Sequence, residues 1–224
     1  MSFNNLIDYL HSSIEYQDFL RHGHLTAISL MVFVASVSAV IQTWGMLTQN
    51  KRIWENRSGT TLPLTFFAFQ FFYFMAYLIY GIKINSLSII LNNFVGVFFL
   101  PIIIGLIKFK LNENSSFRNE LIVFPFLVLI LPFVLIIKTK LSLIAILFLA
   151  IIVFTHLMSE LFKTKMVKNI EPKFIFSMVI GSAIWLWYGF RICDFGLITS
   201  SGVTIAGASL FYLYFRKFKK SALN

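Results

Sequence analysis

The sequence predicts an all-α membrane protein with seven transmembrane helices, arranged as two parallel three-helix repeats joined by a linker helix. Only 12% of the 224 residues are charged and 58% are hydrophobic, whereas a soluble domain carries about 25% charged residues. Seven apolar runs each approach the roughly 20 residues that a helix needs to cross the hydrocarbon core. The first three and the last three runs also share one layout, which indicates an internal repeat.

The seven predicted segments follow one another through short connections. They span 25–47, 62–82, 87–107, 121–137, 141–161, 174–192 and 195–215. The second and third segments, and the sixth and seventh, are joined by very short turns, so each pair should form antiparallel neighbours. The predicted units are an N-terminal segment (1–24), a first repeat (25–109), a linker helix region (110–140), a second repeat (141–218) and a basic tail (219–224).

The N-terminal segment has no basic start and contains acidic residues, so it does not read as a signal peptide. Its apolar residues follow helical spacing, which favours a short amphipathic helix on the membrane surface. A polar tail is the alternative. The apolar positions are Phe3, Leu6, Ile7, Leu10 and Ile14.

The distribution of lysine and arginine predicts the orientation in the membrane. Fourteen of the 19 basic residues fall in the connections 51–57, 108–118 and 163–173 and in the tail 216–220. The other five, on the opposite side, are Arg21, Lys83, Lys138, Lys140 and Arg191. We therefore expect the N-terminus outside, the C-terminus in the cytoplasm, and all basic residues in loops or tails.

The two repeats share a proline at the start of one helix and a Tyr-Gly pair at its end. Pro63 and Pro172 lie 109 residues apart, and Tyr80-Gly81 and Tyr188-Gly189 lie 108 residues apart. A single helix between two three-helix units gives both units the same orientation. Parallel repeats of this kind are a known transporter design, with the substrate site at the repeat interface near mid-membrane.

The chain resembles the PQ-loop superfamily and, within it, the SWEET-type three-plus-one-plus-three transporters, over about residues 25–218. In the first repeat the resemblance rests on Gln42 after Ile41, the basic stretch 51–59, Tyr80-Gly81, and Asn92-Asn93 followed by Gly96. In the second it rests on the loop 168–172, the stretch 185–189 and Asp194. Neither repeat has an intact Pro-Gln pair, and Ser200-Ser201 stand where the family often has asparagine.

The resemblance implies that Tyr77 and Trp185 are walls of a sugar pocket, since each lies four residues before the glycine of its repeat. An aromatic ring offers apolar surface to a sugar and a polar edge to a wet cavity. Aromatic residues are also enriched at membrane interfaces, which is the competing interpretation. Tyr80, Trp187 and Tyr188 lie nearer the helix ends, so they are assigned to that interfacial belt.

Asn92 and Asn93 are amides inside an apolar helix, where each must find a hydrogen-bond partner. They either connect helices or face a hydrated cavity, and the resemblance favours substrate binding by one of them. Ser200 and Ser201 would be their counterparts in the second repeat. Among other buried polar positions, His156 could be a proton site, but a helix–helix hydrogen bond is favoured.

Proline and the Pro-Gln position are the candidates for gating or hinge roles. Pro63, Pro101, Pro172 and Gln42 form this set, because proline removes a backbone donor and can bend a helix. Pro125 and Pro132 interrupt the fourth segment in the same way.

Enzyme chemistry has no support, because the sequence offers no paired carboxylates, nucleophile–base arrangement or metal-ligand cluster. No cofactor or metal is expected.

The predicted function is a carrier of a small polar solute, with sugars as the leading class among those considered, working by alternating access. Because no carboxylate lies at the middle of a predicted helix, transport should be passive. Amino acids or a vitamin-like solute are alternatives, as is a membrane receptor or a non-transporting protein. The expected partners are the solute and the bilayer of a plasma or bacterial inner membrane, without nucleic acid; a homo-oligomer is left open.

Overall fold

A computed structural model describes residues 8, 10–24, 26, 28–57, 62–111, 151–152, 155 and 170–221. Within these ranges the chain is helical and contains no strand. Five of its helices are long and apolar enough to cross a membrane. The predicted fourth segment, nearly all of the fifth, and Pro125, Pro132 and His156 lie outside the described residues.

Six helices organise the described residues. They are α1 (Ile14–His22), α2 (Met31–Asn56), α3 (Leu64–Lys83), α4 (Leu87–Lys110), α5 (Pro172–Arg191) and α6 (Phe195–Ser221). The long helices α2 to α6 occupy five of the seven predicted segments. The largest difference is in α2, which continues to Asn56, so Lys51 and Arg52 lie in a helix and not in the predicted loop.

The N-terminal segment contains the helix α1, and the described residues 8 and 10–12 before it are helical as well. Helix α1 begins after Ser13, whose hydroxyl accepts a hydrogen bond from the amide of Tyr16. It ends before Gly23, which adopts a left-handed conformation with φ of 67°. Of the predicted apolar positions, Ile14 belongs to α1 and Leu10 to the helical residues before it, while Phe3, Leu6 and Ile7 lie outside the described residues.

Two of the candidate hinge prolines begin helices and do not bend them. Pro63 precedes the first residue of α3, and Pro172 is the first residue of α5, positions where proline costs no backbone hydrogen bond. In α4 the irregular stretch is a 3₁₀ turn, Phe94–Phe98, which precedes Pro101. There Gly96 touches α3 so closely that a Cβ would lie 2.5 Å from the Phe74 Cβ.

The helices form two halves that meet along α2. In the first half, α4 packs against both α2 and α3 and therefore lies between them. In the second half, α5 packs against α6 and also against α2. The pairs α3–α4 and α5–α6 are neighbours, as their short turns predicted.

The two ends of this bundle differ and are named here by their connections. The turn end carries the turns Ile84–Ser86 and Ile192–Asp194; the loop end is where α2 finishes and α5 begins. A small apolar cluster fills the turn end, with Met31, Ala35, Ile89 and Leu197 among its buried members. A larger cluster extends to the loop end, and the rings of Phe67, Phe99 and Phe174 meet within it at centroid distances of 5.7–6.4 Å.

Large apolar side chains also cover the outside of the bundle. Phe94 and Ile104 of α4, Phe190 of α5 and Phe195 and Leu213 of α6 are all more than half exposed. Exposure of so much apolar surface to water is unfavourable, whereas contact of that surface with lipid tails is favourable. The described helices therefore have the lengths and the outer surface of a membrane-embedded bundle.

Candidate functional site

A cavity lies between the two halves, at the level between the two apolar clusters. Its volume is about 50 Å³, and all five long helices line it. Six of the residues singled out in the sequence line this cavity: Gln42, Tyr77, Asn92, Asn93, Trp185 and Ser201. Ser200 lies beside it, and its hydroxyl oxygen is 2.7 Å from the Tyr77 hydroxyl.

Asn92 both connects helices and faces the cavity. The Gln42 side-chain amide donates to Asn92 Oδ1 at 3.0 Å and to the Ser38 hydroxyl at 2.8 Å. Gln42 is also pressed against α5, because a Cβ on Gly181 would lie 2.6 Å from its Nε2. The single side chain of Gln42 thus joins α2 to α4 and contacts the second half.

Asn93 uses its amide differently. Its Nδ2 donates to the backbone carbonyl of Ile89, one turn earlier in α4, at 2.7 Å. The side chain is 6% exposed and lines the cavity. The two neighbouring asparagines therefore both line the cavity. The side chain of Asn92 is hydrogen-bonded to another helix, and that of Asn93 to its own helix.

Trp185 lines the cavity and carries a hydrogen-bond donor that is unpaired within the described part of the chain. The side chain is 8% exposed, and its ring meets Tyr188 edge to face at 5.6 Å. Its Nε1 is buried and has no hydrogen-bond partner among the described residues. Leaving such a donor unpaired costs about 1–3 kcal/mol, so a bound polar ligand would gain by accepting from it.

Tyr77 bridges the halves near the same cavity. It is 2% exposed, and its hydroxyl donates to Ser200 of α6 at 2.7 Å. The ring of Tyr73, one turn earlier in α3, lies against it at a tilt of 46°, with ring centroids 4.8 Å apart. Tyr77 is therefore both a cavity wall and a contact between α3 and α6.

Several further polar residues line the cavity that the sequence did not single out as a site. These are Gln70, Tyr73, Ser177, Ser182 and Thr204. Tyr73, Ser182 and Thr204 lie three or four residues from Tyr77, Trp185 and Ser201. Gln70 and Ser177 lie about two turns before Tyr77 and Trp185, so helical spacing was the signal that could have found all five. The part of the lining that the structure describes carries no charged side chain.

Two of the tyrosines assigned to the interfacial belt are buried, and that prediction was wrong for them. Tyr80 and Tyr188 are 6% and 0% exposed. Tyr80 donates to the carboxylate of Asp194, and Tyr188 donates to Glu15 Oε1 at 3.0 Å. Each hydroxyl is thus directed at a carboxylate of the protein. Trp187 is 37% exposed, as expected of a belt residue.

The two Tyr-Gly pairs end in the same turn. The Ser86 amide donates to the Gly81 carbonyl at 2.9 Å, and the Asp194 amide donates to the Gly189 carbonyl at 2.9 Å. A left-handed residue precedes each, Asn85 with φ of 60° and Cys193 with φ of 54°. Such a bond across a left-handed residue is a common way to finish a helix. The sequence repeat is therefore also a repeat of backbone geometry.

The loop end holds the halves together through Glu171, which precedes α5. Arg52 Nη1 donates to Glu171 Oε2 at 2.8 Å, and the Glu171 amide donates to Gln49 Oε1 at 2.8 Å. Both partners belong to the part of α2 that extends past the predicted segment. Polar contacts between the halves thus lie at both ends of the cavity-bearing region.

No described group of histidine, cysteine, aspartate and glutamate could hold a metal ion. The site is instead a neutral polar cavity walled by aromatic rings. Comparison of the chain with models of protein families, with curated proteins and with solved structures finds no match.

Proposed function

We propose that the protein is a membrane carrier for a small polar solute, most simply a sugar, working by alternating access between its two halves. The observation that supports it best is the cavity where α2, α3, α4, α5 and α6 meet, lined by neutral polar groups and aromatic rings. A carrier needs such a site at the interface of two repeats. It acts as no enzyme and uses no cofactor in this proposal.

The complete architecture in this proposal is the seven-helix, three-plus-one-plus-three arrangement of the SWEET-type proteins that the sequence resembles. The repeated turn after Gly81 and Gly189 supports it. In this proposal the loop end faces the cytoplasm, and the turn end and the N-terminus lie outside; the excess of lysine and arginine near the loop end supports this orientation. The host membrane is then a plasma or bacterial inner membrane.

The chemistry of the cavity favours an uncharged solute. Amides of Asn92 and Asn93 and hydroxyls such as Ser201 both donate and accept, and Trp185 adds a free donor. A charged amino acid or a peptide carboxylate would need a compensating charge, which the described lining does not supply. A neutral vitamin-like solute fits as a second candidate. The lack of a carboxylate in this lining also supports passive transport.

Uptake into proteoliposomes tests the proposal. A panel of labelled sugars and neutral amino acids is compared for the wild type, Trp185→Ala, Asn93→Ala and the control Trp187→Ala. Trp187 lies on the same helix but is exposed, so its loss should leave uptake within about twofold. We expect Trp185→Ala to lower uptake about tenfold, which corresponds to one lost polar contact.

The outcomes separate the alternatives. If no solute enters, the carrier proposal fails and a receptor or non-transporting role on the same scaffold is favoured. If all four proteins transport equally, the carrier stands and the site is wrong. Accumulation driven by a pH gradient would show that transport is not passive.

A further inference from the structure

The N-terminal helix α1 inserts one carboxylate into the turn end of the bundle. Glu15 is 2% exposed, although it belongs to a helix whose other residues are mostly exposed. The sequence predicted a helix lying on the membrane surface, and nothing in the cavity uses this residue. A buried carboxylate needs partners, and those of Glu15 come from both halves of the protein.

Glu15 accepts four hydrogen bonds. Its Oε1 accepts from the Ser86 hydroxyl at 2.7 Å, from the Ser88 amide at 3.1 Å and from the Tyr188 hydroxyl at 3.0 Å. Its Oε2 accepts from the Leu87 amide at 3.0 Å. Ser86 to Ser88 belong to the start of α4 and Tyr188 belongs to α5, so one side chain of α1 joins the two halves.

Backbone contacts fix α1 at this place. The Ile14 amide donates to the Asn85 carbonyl at 3.0 Å, and the Asn85 side-chain amide donates to the Ser12 hydroxyl at 2.7 Å. Asn85 is the left-handed residue of the first turn. The segment is thus bonded to the turn directly before Glu15.

The second repeat has a carboxylate of its own at the matching position. Asp194 Oδ1 accepts from the Leu197 amide at 2.9 Å, which caps α6, and its other oxygen accepts from Tyr80 of the first half. In the first repeat the matching residue is Ser86, whose hydroxyl lies 3.4 Å from the Ile89 amide. A serine caps the helix but cannot offer a carboxylate to the tyrosine of the other half.

We propose that Glu15 supplies the carboxylate that the first repeat lacks, and that α1 thereby closes the turn end as a second bridge between the halves. The Glu15 bridge (Glu15, Ser86 and Tyr188) then mirrors the Asp194 bridge (Asp194 and Tyr80). In each bridge a tyrosine that precedes a glycine of one half binds a carboxylate at the helix start of the other. Opening the turn end requires both bridges to break, so release of α1 is one step of opening.

The consequence for transport rests on the proposed function, but the bridge is tested without any solute. Ser182 lines the cavity and is partly exposed, so Ser182→Cys in a Cys193→Ser background reports access to the cavity. The native Cys193 is exposed in the second turn and is the chain's single cysteine. The side of a sealed vesicle from which Cys193 reacts with an impermeant maleimide therefore identifies the turn end.

Moving the carboxylate provides the decisive comparison. Glu15→Ala should raise the rate of Ser182→Cys labelling from the turn end about tenfold, as expected when a hydrogen-bonded charge is removed. Adding Ser86→Asp to Glu15→Ala places a carboxylate where the second repeat has one, and labelling should return to within about twofold of the parent. The matched control is Glu55→Ala, which removes an exposed glutamate at the loop end and should change nothing at the turn end.

Three results would overturn the proposal. Unchanged labelling in Glu15→Ala shows that the bridge does not hold the turn end closed. Increased labelling from both sides of the vesicle shows general loosening of the bundle. A double variant as reactive as Glu15→Ala, with a melting temperature equal to that of the parent, shows that the carboxylate is not what matters. If the bridge responds as expected and no solute moves, only the carrier function is refuted.

Discussion

The turn end and the loop end connect the same two halves by different means. At the turn end, buried tyrosine hydroxyls bind carboxylates, and the participating Tyr80 and Tyr188 are at most 6% exposed. At the loop end, one ion pair between Arg52 and Glu171 has side chains 34% and 17% exposed. Burial strengthens hydrogen bonds to charges, and exposure to water weakens ion pairs.

This difference indicates that the two ends do not open with equal ease. Loss of a partner at the turn end leaves a buried group unsatisfied, whereas Arg52 and Glu171 can be rehydrated when they separate. For a carrier, the loop end would then open first from the conformation seen here. Three substitutions test this comparison, in order of decreasing expected effect.

The largest effect is expected from Asp194→Ala. It removes both the cap of α6 and the acceptor of Tyr80, so the free energy of unfolding should fall by about 2–4 kcal/mol. Tyr80→Phe, which leaves the cap in place, should cost about 1–2 kcal/mol. Unfolding of the detergent-solubilised protein measures both values. Equal effects of the two variants would show that the contact between halves, and not the cap, dominates.

An intermediate effect is expected where α2 and α5 pack toward the loop end. A Cβ on Gly45 would lie 2.8 Å from the Ser177 Cβ and 3.2 Å from the Lys173 carbonyl oxygen. Gly45→Ala should therefore cost about 1–3 kcal/mol through overpacking. Gly202→Ala is the control, because nothing lies within 4 Å of that Cβ; it should be neutral or stabilise by up to about 1 kcal/mol. If Gly45→Ala is as harmless as the control, backbone contact does not hold this end.

The smallest effect is expected from Arg52→Gln. The pair with Glu171 is partly exposed, so its loss should cost about 0.5–1 kcal/mol, and less in high salt. Lys51→Gln removes a more exposed partner of Glu55, with side chains 74% and 63% exposed, and should cost less than about 0.5 kcal/mol. If Arg52→Gln destabilises the protein as strongly as Asp194→Ala, the inference that the turn end is held more strongly than the loop end is wrong.

Much of the described fold could be predicted from local sequence. Continuous apolar length located α2 to α6, and the repeated Tyr-Gly pairs located two turns with the same geometry. The residues implied by the resemblance, including Trp185 and Asn92, do share one cavity. Local composition sufficed because each of these features is encoded within one or two helical turns.

The remaining features depend on contacts between distant residues. Glu15 looks like any acidic residue of a surface segment, and its burial follows only from Ser86 and Tyr188, 71 and 173 residues away. Tyr80 and Tyr188 lie near helix ends, where interfacial aromatic residues are common. The carboxylates that accept their hydrogen bonds lie in other segments of the chain. The sequence pattern of one helix does not reveal which hydrogen-bond partners a neighbouring helix provides.

The contact between Gln42 and Gly181 has a consequence for how this protein could change in evolution. Gln42 holds Asn92 at the cavity while the bare backbone of Gly181 makes room for it. Any larger residue at 181 would displace the amide, and any bulkier residue at 42 would separate α2 from α5. The shape of the cavity lining and the packing of α2 on α5 are therefore coupled, and in the proposed carrier a new specificity at this position would require paired substitutions in both halves.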